Sequence, residues 1–241
     1  MNVHSRTDLL FCLNGVKLQA PSHIITPTIA AAINSGTYEV EEARITNRAL
    51  ETGDRVLEVG SGLGYITTTI ARDSRVQSVT AYEADPRMAQ YATDTLRRNG
   101  HDDVTVVNGM LGGEEEAGGF AQFRQRPDFW MSSAYDTDIN ADQIVSTPIY
   151  VMNDVLREQG ISIIICDIEG AEVDLLSNAD LSNVDRIVVE LHDHITGLSG
   201  IARLYAAMAD KGFVYDPRCS ENSVVLFRRL GSCADKRPYG T

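Results

Sequence analysis

Residues 55–65, RVLEVGSGLGY, narrow the possible folds more than any other part of this 241-residue chain. A short apolar run holding one carboxylate (Val56, Leu57, Glu58, Val59) meets Gly60-Ser61-Gly62-Leu63-Gly64. Tyr65, Ile66 and Ile70 then follow without a breaker, so the stretch is strand, glycine turn and helix. Glycines permit backbone angles that a Cβ forbids and let a ligand come close to the main chain. The helix beyond them turns its free N–H groups and positive dipole end toward the same crevice. The pattern predicts a nucleotide-type pocket with Gly60, Ser61, Gly62, Gly64 and Tyr65 around it.

Two ligands compete for such a pocket. The dinucleotide fingerprint G-x-G-x-x-G is completed from neither Gly60 nor Gly62, because the closing positions are Tyr65 and Thr67. The run is instead Glu-x-Gly-x-Gly-x-Gly and resembles the first motif of class I S-adenosylmethionine-dependent methyltransferases. Glu58 suits the cationic amino acid end of S-adenosylmethionine and would repel a pyrophosphate. A nicotinamide-dependent oxidoreductase is the alternative that these residues disfavour.

Around the loop the chain alternates strands and helices. Thr26-Pro27 opens a small helix that Ser35-Gly36 closes. Thr37 to Glu42 then leads into a second helix, which stops near Gly53. Its first turn is either an exposed acidic helix start or a lid that brings Tyr38 or Glu39 to the ligand. Gln77 to Ala84 is the next strand. It ends in Glu83, about 20 residues beyond the glycines, where a carboxylate can accept from both ribose hydroxyls, with Ala84 beside it. Asp85-Pro86 starts a helix whose face is Met88, Tyr91, Ala92, Thr95 and Leu96. Val104 to Met110 is a third strand, with Gly109 and Met110 on the adenine side. This rhythm predicts a parallel, doubly wound α/β sheet.

Residues 111–146 break the rhythm with a glycine- and glutamate-rich loop, then Phe120, Phe123, Phe129, Trp130 and Tyr135. These aromatics form an acceptor-side wall, a partner surface or a cover for the sheet edge. Thr147 to Met152 is a candidate antiparallel partner for part of 120–125.

A second acidic constellation follows. Ile161 to Ile165 is a buried strand, and Asp167-Ile168-Glu169-Gly170-Ala171-Glu172 sits at its C-terminal end, which in a parallel sheet faces the ligand crevice. If the strand runs on, Asp167 and Glu169 share a face. The next strand, Arg186 to His192, places Glu190 and His192 on one face in the same way. These four groups would meet Glu58 and Glu83 at one mouth, a costly concentration of charge unless it meets a cation, a proton or donors.

The segments SGTYE, GDRVLEVGSGLGYITT, YEADP, TPIYVMNDVL, ICDIEGAEVDLL and VVELH together resemble the FkbM-type methyltransferases, over roughly residues 15–230. The resemblance implies a Rossmann-like seven-stranded sheet, mostly parallel with a C-terminal antiparallel hairpin and helices on both faces. It also implies S-adenosylmethionine as methyl donor, an oxygen acceptor on a sugar, polyketide or other small molecule, and the lid role for Tyr38 and Glu39. The organisation expected is a lid segment over 1–52, a core over 53–230 with an insertion at 111–150, and a tail over 231–241.

The chemistry expected is direct displacement, with an acceptor oxygen attacking the S-methyl carbon while a positioned base removes its proton. His192 is the first candidate base, since imidazole titrates near neutrality, and Asp167 and Glu169 come next, with Glu190 beside them. A divalent metal on these four groups would lower a hydroxyl pKa, but no spacing demands one, and a metal-free site is the expectation. A domain that binds without catalysing is the third alternative. The net charge of −13 points away from nucleic acid and anionic membranes, and the small-molecule partner expected is the one the resemblance implies. Cys12, Cys166, Cys219 and Cys233 lack ligand spacing, and no leader or long apolar span is visible, so a reduced, cytoplasmic setting is expected.

Overall fold

A computed structural model describes residues 8–125 and 143–232. The chain opens with a hairpin, β1 (Asp8–Leu13) and β2 (Val16–Pro21), whose two-residue turn Asn14-Gly15 takes positive φ at both positions. That is the turn chemistry matching the twist of paired strands. Helix α1 (Pro27–Ser35) starts at Thr26, whose side chain accepts from the Ile29 N–H, and ends on Gly36 in the left-handed region. Helix α2 (Val40–Ala49) follows.

Strand β3 (Asp54–Val59), helix α3 (Tyr65–Ala71), strand β4 (Val76–Glu83), helix α4 (Pro86–Arg98) and strand β5 (Thr105–Asn108) form the first half of a doubly wound sheet. The second half contains α5 (Met152–Gln159), β9 (Ile163–Cys166), α6 (Glu172–Asn178), β10 (Arg186–Glu190) and α7 (Asp193–Asp210). It closes with β11 (Phe213–Tyr215) and β12 (Val224–Arg229). Between the halves lie the short strands β6 (Met110–Gly112), β7 (Phe120–Gln125) and β8 (Gln143–Val151).

The seven-stranded sheet has the order β11-β12-β10-β9-β3-β4-β5, and β12 runs antiparallel to both its neighbours. The Rossmann-like architecture expected from the sequence is therefore present. The pairing expected in the insertion is present in part: β7 is antiparallel to β8 from Phe120↔Pro148 to Gln125↔Gln143, but 149–151 pair in parallel with β6 instead. No helix among the described residues is long and apolar enough to cross a membrane.

Strand alternation sorts the core into two faces. Val56, Ile163, Ile165, Val188, Val224 and Leu226 pack under α1, α2, α3 and the hairpin. Leu57, Val59, Ile164, Cys166, Ile187, Val189, Val225 and Phe227 pack under α5, α6 and α7. Cys166 is thus the buried thiol its apolar neighbours predict.

At the base of the sheet Arg186 reaches across β9 to Asp54, with Nη2 to Oδ1 at 2.7 Å and Nη1 to Oδ2 at 3.0 Å. Both residues are buried, and the Ser162 hydroxyl donates to the same carboxylate at 2.8 Å. Asp54→Ala strands a buried guanidinium and is expected to cost about 3–5 kcal/mol in denaturant unfolding. A loss below about 1 kcal/mol would mean that water reaches Arg186 and the pair is not structural.

Candidate functional site

The glycine loop is locked from two sides. Gly60 donates its N–H to the Tyr82 carbonyl at 2.9 Å and sits at φ +89°. A Cβ there would stand 1.9 Å from the Asp167 carbonyl oxygen. Gly62 donates to Glu83 Oε2 at 2.9 Å, and Asp85 donates to Glu83 Oε1 at 2.8 Å. The carboxylate that sequence spacing assigns to a ribose therefore also holds the loop against β4.

Beside the loop a crevice of about 130 Å³, open at its mouth, runs along the C-terminal ends of β3, β4 and β9. Glu39, Gly60, Gly62, Glu83, Ala84, Gly109, Met110, Asp167 and Glu169 line it, as the sequence predicts. Tyr82, Leu111 and Phe123 also line it and were not anticipated as contacts. Phe123 supports the wall reading of the aromatic insertion, whereas Phe120 is exposed. Phe129, Trp130 and Tyr135 lie outside the described residues.

Several expectations need correction. Tyr65 begins α3 and turns away from the crevice, its hydroxyl accepting from Asn14 Nδ2 at 2.8 Å in the hairpin turn. Tyr38 is buried against Tyr65, with ring centroids 6.2 Å apart, and does not line the crevice. Of the two lid candidates only Glu39 reaches the wall, from a left-handed backbone position at φ +46°. Ser61 is buried and Gly64 packs on Ala92, so these two shape the loop without lining the crevice.

β10 stops sooner than expected, and β9 does not run on through Glu169. β9 ends at Cys166 and β10 at Glu190. Glu169 reaches the mouth from a turn, at φ +31°, and His192 reaches it as the residue before α7. Alternation instead puts Glu58, Asp167 and Glu190 on one face. Val59 and Val189 both pair with Cys166, so Asp167 and Glu190 stand level one residue beyond that row and Glu58 one residue before it, all on the α2 side of the sheet. There they line a small cavity of about 20 Å³ together with Glu39 and Glu42. Glu42, one turn beyond Glu39 on α2, was missed, although an acid at that spacing shares its helix face.

His192 is buried beneath this group. Its Nε2 stands 3.4 Å from Asp167 Oδ1 and 3.7 Å from Glu169 Oε2, and its Nδ1 3.5 Å from Glu172 Oε2. His194 is exposed, with its Nε2 4.0 Å from Glu169.

Burial, partly offset by neighbouring Thr67 and reinforced by Glu83 and Asp167, pushes Glu58 up to about 8, and burial, partly offset by the Asp85 and Gly62 N–H groups, pushes Glu83 up to about 7. Burial likewise raises Glu42 and Glu190 to about 7, reinforced by Glu190 at Glu42 and by Asp167 at Glu190, where Glu42 instead lowers the value by hydrogen bonding. Asp167 moves upward by the same cause, although its carboxylate keeps contact with solvent. For His192, burial opposes the charged form, but Glu172, Asp167 and Glu169 outweigh it and raise the imidazole to about 9. At neutral pH His192 is therefore an imidazolium that balances the carboxylates, contrary to its expected role as the resting base.

The family of ribosomal RNA adenine dimethylases matches residues 40–110, from α2 through the glycine loop to the start of β6. Protein-L-isoaspartate O-methyltransferase of Methanococcus aeolicus is 38% identical over 71 residues, 28% of this chain and 33% of that protein. The chain thus spans about a third of the length of the curated relative it matches. Among solved structures, Trm5b from Pyrococcus abyssi is 14% identical, covering 93% of this chain and 56% of that one at a TM-score of 0.51. TYW2 of M. jannaschii, solved with AdoMet, is 15% identical over 95% of this chain and 90% of that one at a TM-score of 0.49. The likeness to Trm5b supports the fold.

The ribosomal RNA family overturns one expectation. A net charge of −13 points away from a nucleic-acid partner, yet the matched family is named for action on RNA. Net charge sums the whole surface, whereas a phosphate backbone meets one patch of it.

Proposed function

We propose that this protein is a class I S-adenosylmethionine-dependent methyltransferase acting on a hydroxyl of a small metabolite. The observation that carries the proposal is Glu58, which is 2% exposed, with Oε2 lacking any hydrogen-bond partner at the root of the glycine loop. A buried carboxylate oxygen without a donor is costly, and a cationic ligand relieves that cost. The amino acid end of S-adenosylmethionine is such a ligand. Glu83 stands where a ribose is held, and Met110, Leu111 and Phe123 offer an apolar flank for the base.

When bound, S-adenosylmethionine supplies a methyl group on a positively charged sulfur. The chain's own residues orient the acceptor and take its proton. Asp167, Glu169 and Glu190 are the proton acceptors we assign, with His192 holding the positive charge that keeps them together; His192 acts as base only after losing its own proton. The oxygen acceptor is supported by the D-x-E-G-x-E segment and its FkbM-type resemblance. An RNA base is the second reading, favoured by the family matched over 40–110.

Calorimetric titration with S-adenosylhomocysteine, with NAD as control, tests the cofactor. One-to-one binding of the first alone is expected, and stabilisation by NAD alone would revive the oxidoreductase. Radiolabelled methyl transfer to hydroxylated metabolites and to RNA then separates the two acceptor readings. His192→Asn is expected to lower turnover about 10²–10⁴-fold while leaving S-adenosylhomocysteine affinity within about threefold. Unchanged turnover would remove His192 from the site.

A further inference from the structure

We propose that Asp167, Glu190 and His192 form a binding site for one divalent first-row cation of the manganese class. The ligand atoms of these three residues all lie within 4.8 Å of one another. Two carboxylate oxygens and one imidazole nitrogen suit such an ion, which takes the place of the proton that His192 otherwise carries and releases it to solvent. Ligands held about 2.1 Å from one centre stand about 3–4 Å apart, so the observed set needs only a small contraction.

Two observations point to a cation at this place, the first of them shared with the cofactor reading above. The first is Glu58, buried and with an unpartnered oxygen, which lines the small cavity that Asp167 and Glu190 also line. No lysine or arginine lines that cavity among the described residues. The second is the support behind His192. Its Nδ1 faces the fully buried Glu172 at 3.5 Å, and neither Nδ1 nor Glu172 Oε2 completes a hydrogen bond. A shift of the ring by a few tenths of an ångström toward Glu172 would complete that bond and make room at Nε2. A carboxylate behind the far nitrogen is how metal-bound imidazoles are commonly oriented. Asp167 is two-fifths exposed, so the ion keeps open positions toward the mouth, where an acceptor oxygen can join it.

The inference goes beyond methyl transfer and is tested without a cofactor. Metal-free protein is titrated with manganese(II) chloride, and the free ion is followed by electron paramagnetic resonance. Saturation at one ion per chain is expected, with pulsed spectra showing coupling to one imidazole nitrogen. Glu190→Gln is expected to weaken the ion about tenfold or more, and His192→Gln to remove the nitrogen coupling. If either variant fails to fold, the wild-type nitrogen coupling decides alone. Absence of saturable binding, saturation without nitrogen coupling, or affinity unchanged in folded Glu190→Gln overturns the site. Manganese binding without any S-adenosylhomocysteine binding would leave the metal site standing and remove the proposed function.

Discussion

Gly60→Ala is expected to cost about 3 kcal/mol or more, roughly 6–12 °C in Tm, and to eliminate measurable S-adenosylhomocysteine binding. Two effects add at this position. An alanine at φ +89° is strained wherever it occurs, and its Cβ would also lie 1.9 Å from the Asp167 carbonyl oxygen. The obstacle is backbone, tied to β3 through the Asp167 N–H to Val59 carbonyl bond at 2.9 Å, so it cannot rotate away. Gly100→Ala separates the two effects, because Gly100 has φ +85° with nothing within 4 Å of the added Cβ. It is expected to cost only about 1–2 kcal/mol. Equal losses in the two variants would show that the contact with Asp167 relaxes freely and that the loop is not clamped by β9.

The second large effect is on pH. Glu58 and Glu83 are 2% and 7% exposed, and burial lifts their folded values to about 8 and about 7, from an ordinary 4.5. A raised folded value means that the native state keeps its protons longer than the unfolded chain does. The associated stability is complete below about 4.5 and is lost as pH climbs through 7 and 8. Calorimetry of the ligand-free protein between pH 5 and 9 should therefore show Tm falling by roughly 6–12 °C, on the order of 3 kcal/mol. Glu58→Gln should flatten the upper part of that slope. Saturating S-adenosylhomocysteine should flatten it too, since the ligand's ammonium group stabilises the ionised form. A Tm that is level or rises over this range in the free protein would contradict the acidic cleft as described.

What the sequence disclosed was local. Strand, glycine turn and helix over 55–65, the capped starts at Thr26 and Asp85, and the acids ending β3 and β4 all follow from spacing of a few residues. The failures were of longer range. Whether β9 runs on through Glu169 depends on where β3 stops offering hydrogen bonds, and the last of these reaches Asp167. The direction of Tyr65 depends on Asn14, fifty-one residues earlier in the chain. Tyr82, Leu111 and Phe123 become crevice walls through contacts between separate sheets, which periodicity within any one of them does not reveal. His192 was placed in the right company, but its charge state is set by Glu172, Asp167 and Glu169 around a buried ring, and residue type alone suggested the opposite.

The small sheet of β6, β8 and β7 has its own consequence. It is a separate sheet from the seven-stranded one. The two are pinned by side chains, with Thr147 Oγ1 donating to the Ala84 carbonyl at 2.9 Å and Gln125 Nε2 to Asp85 Oδ1 at 2.7 Å. One bank of the crevice is thus woven into the fold, while part of the other is bolted on. Such a bank can be lengthened, shortened or replaced without unpicking the strands that carry the glycine loop.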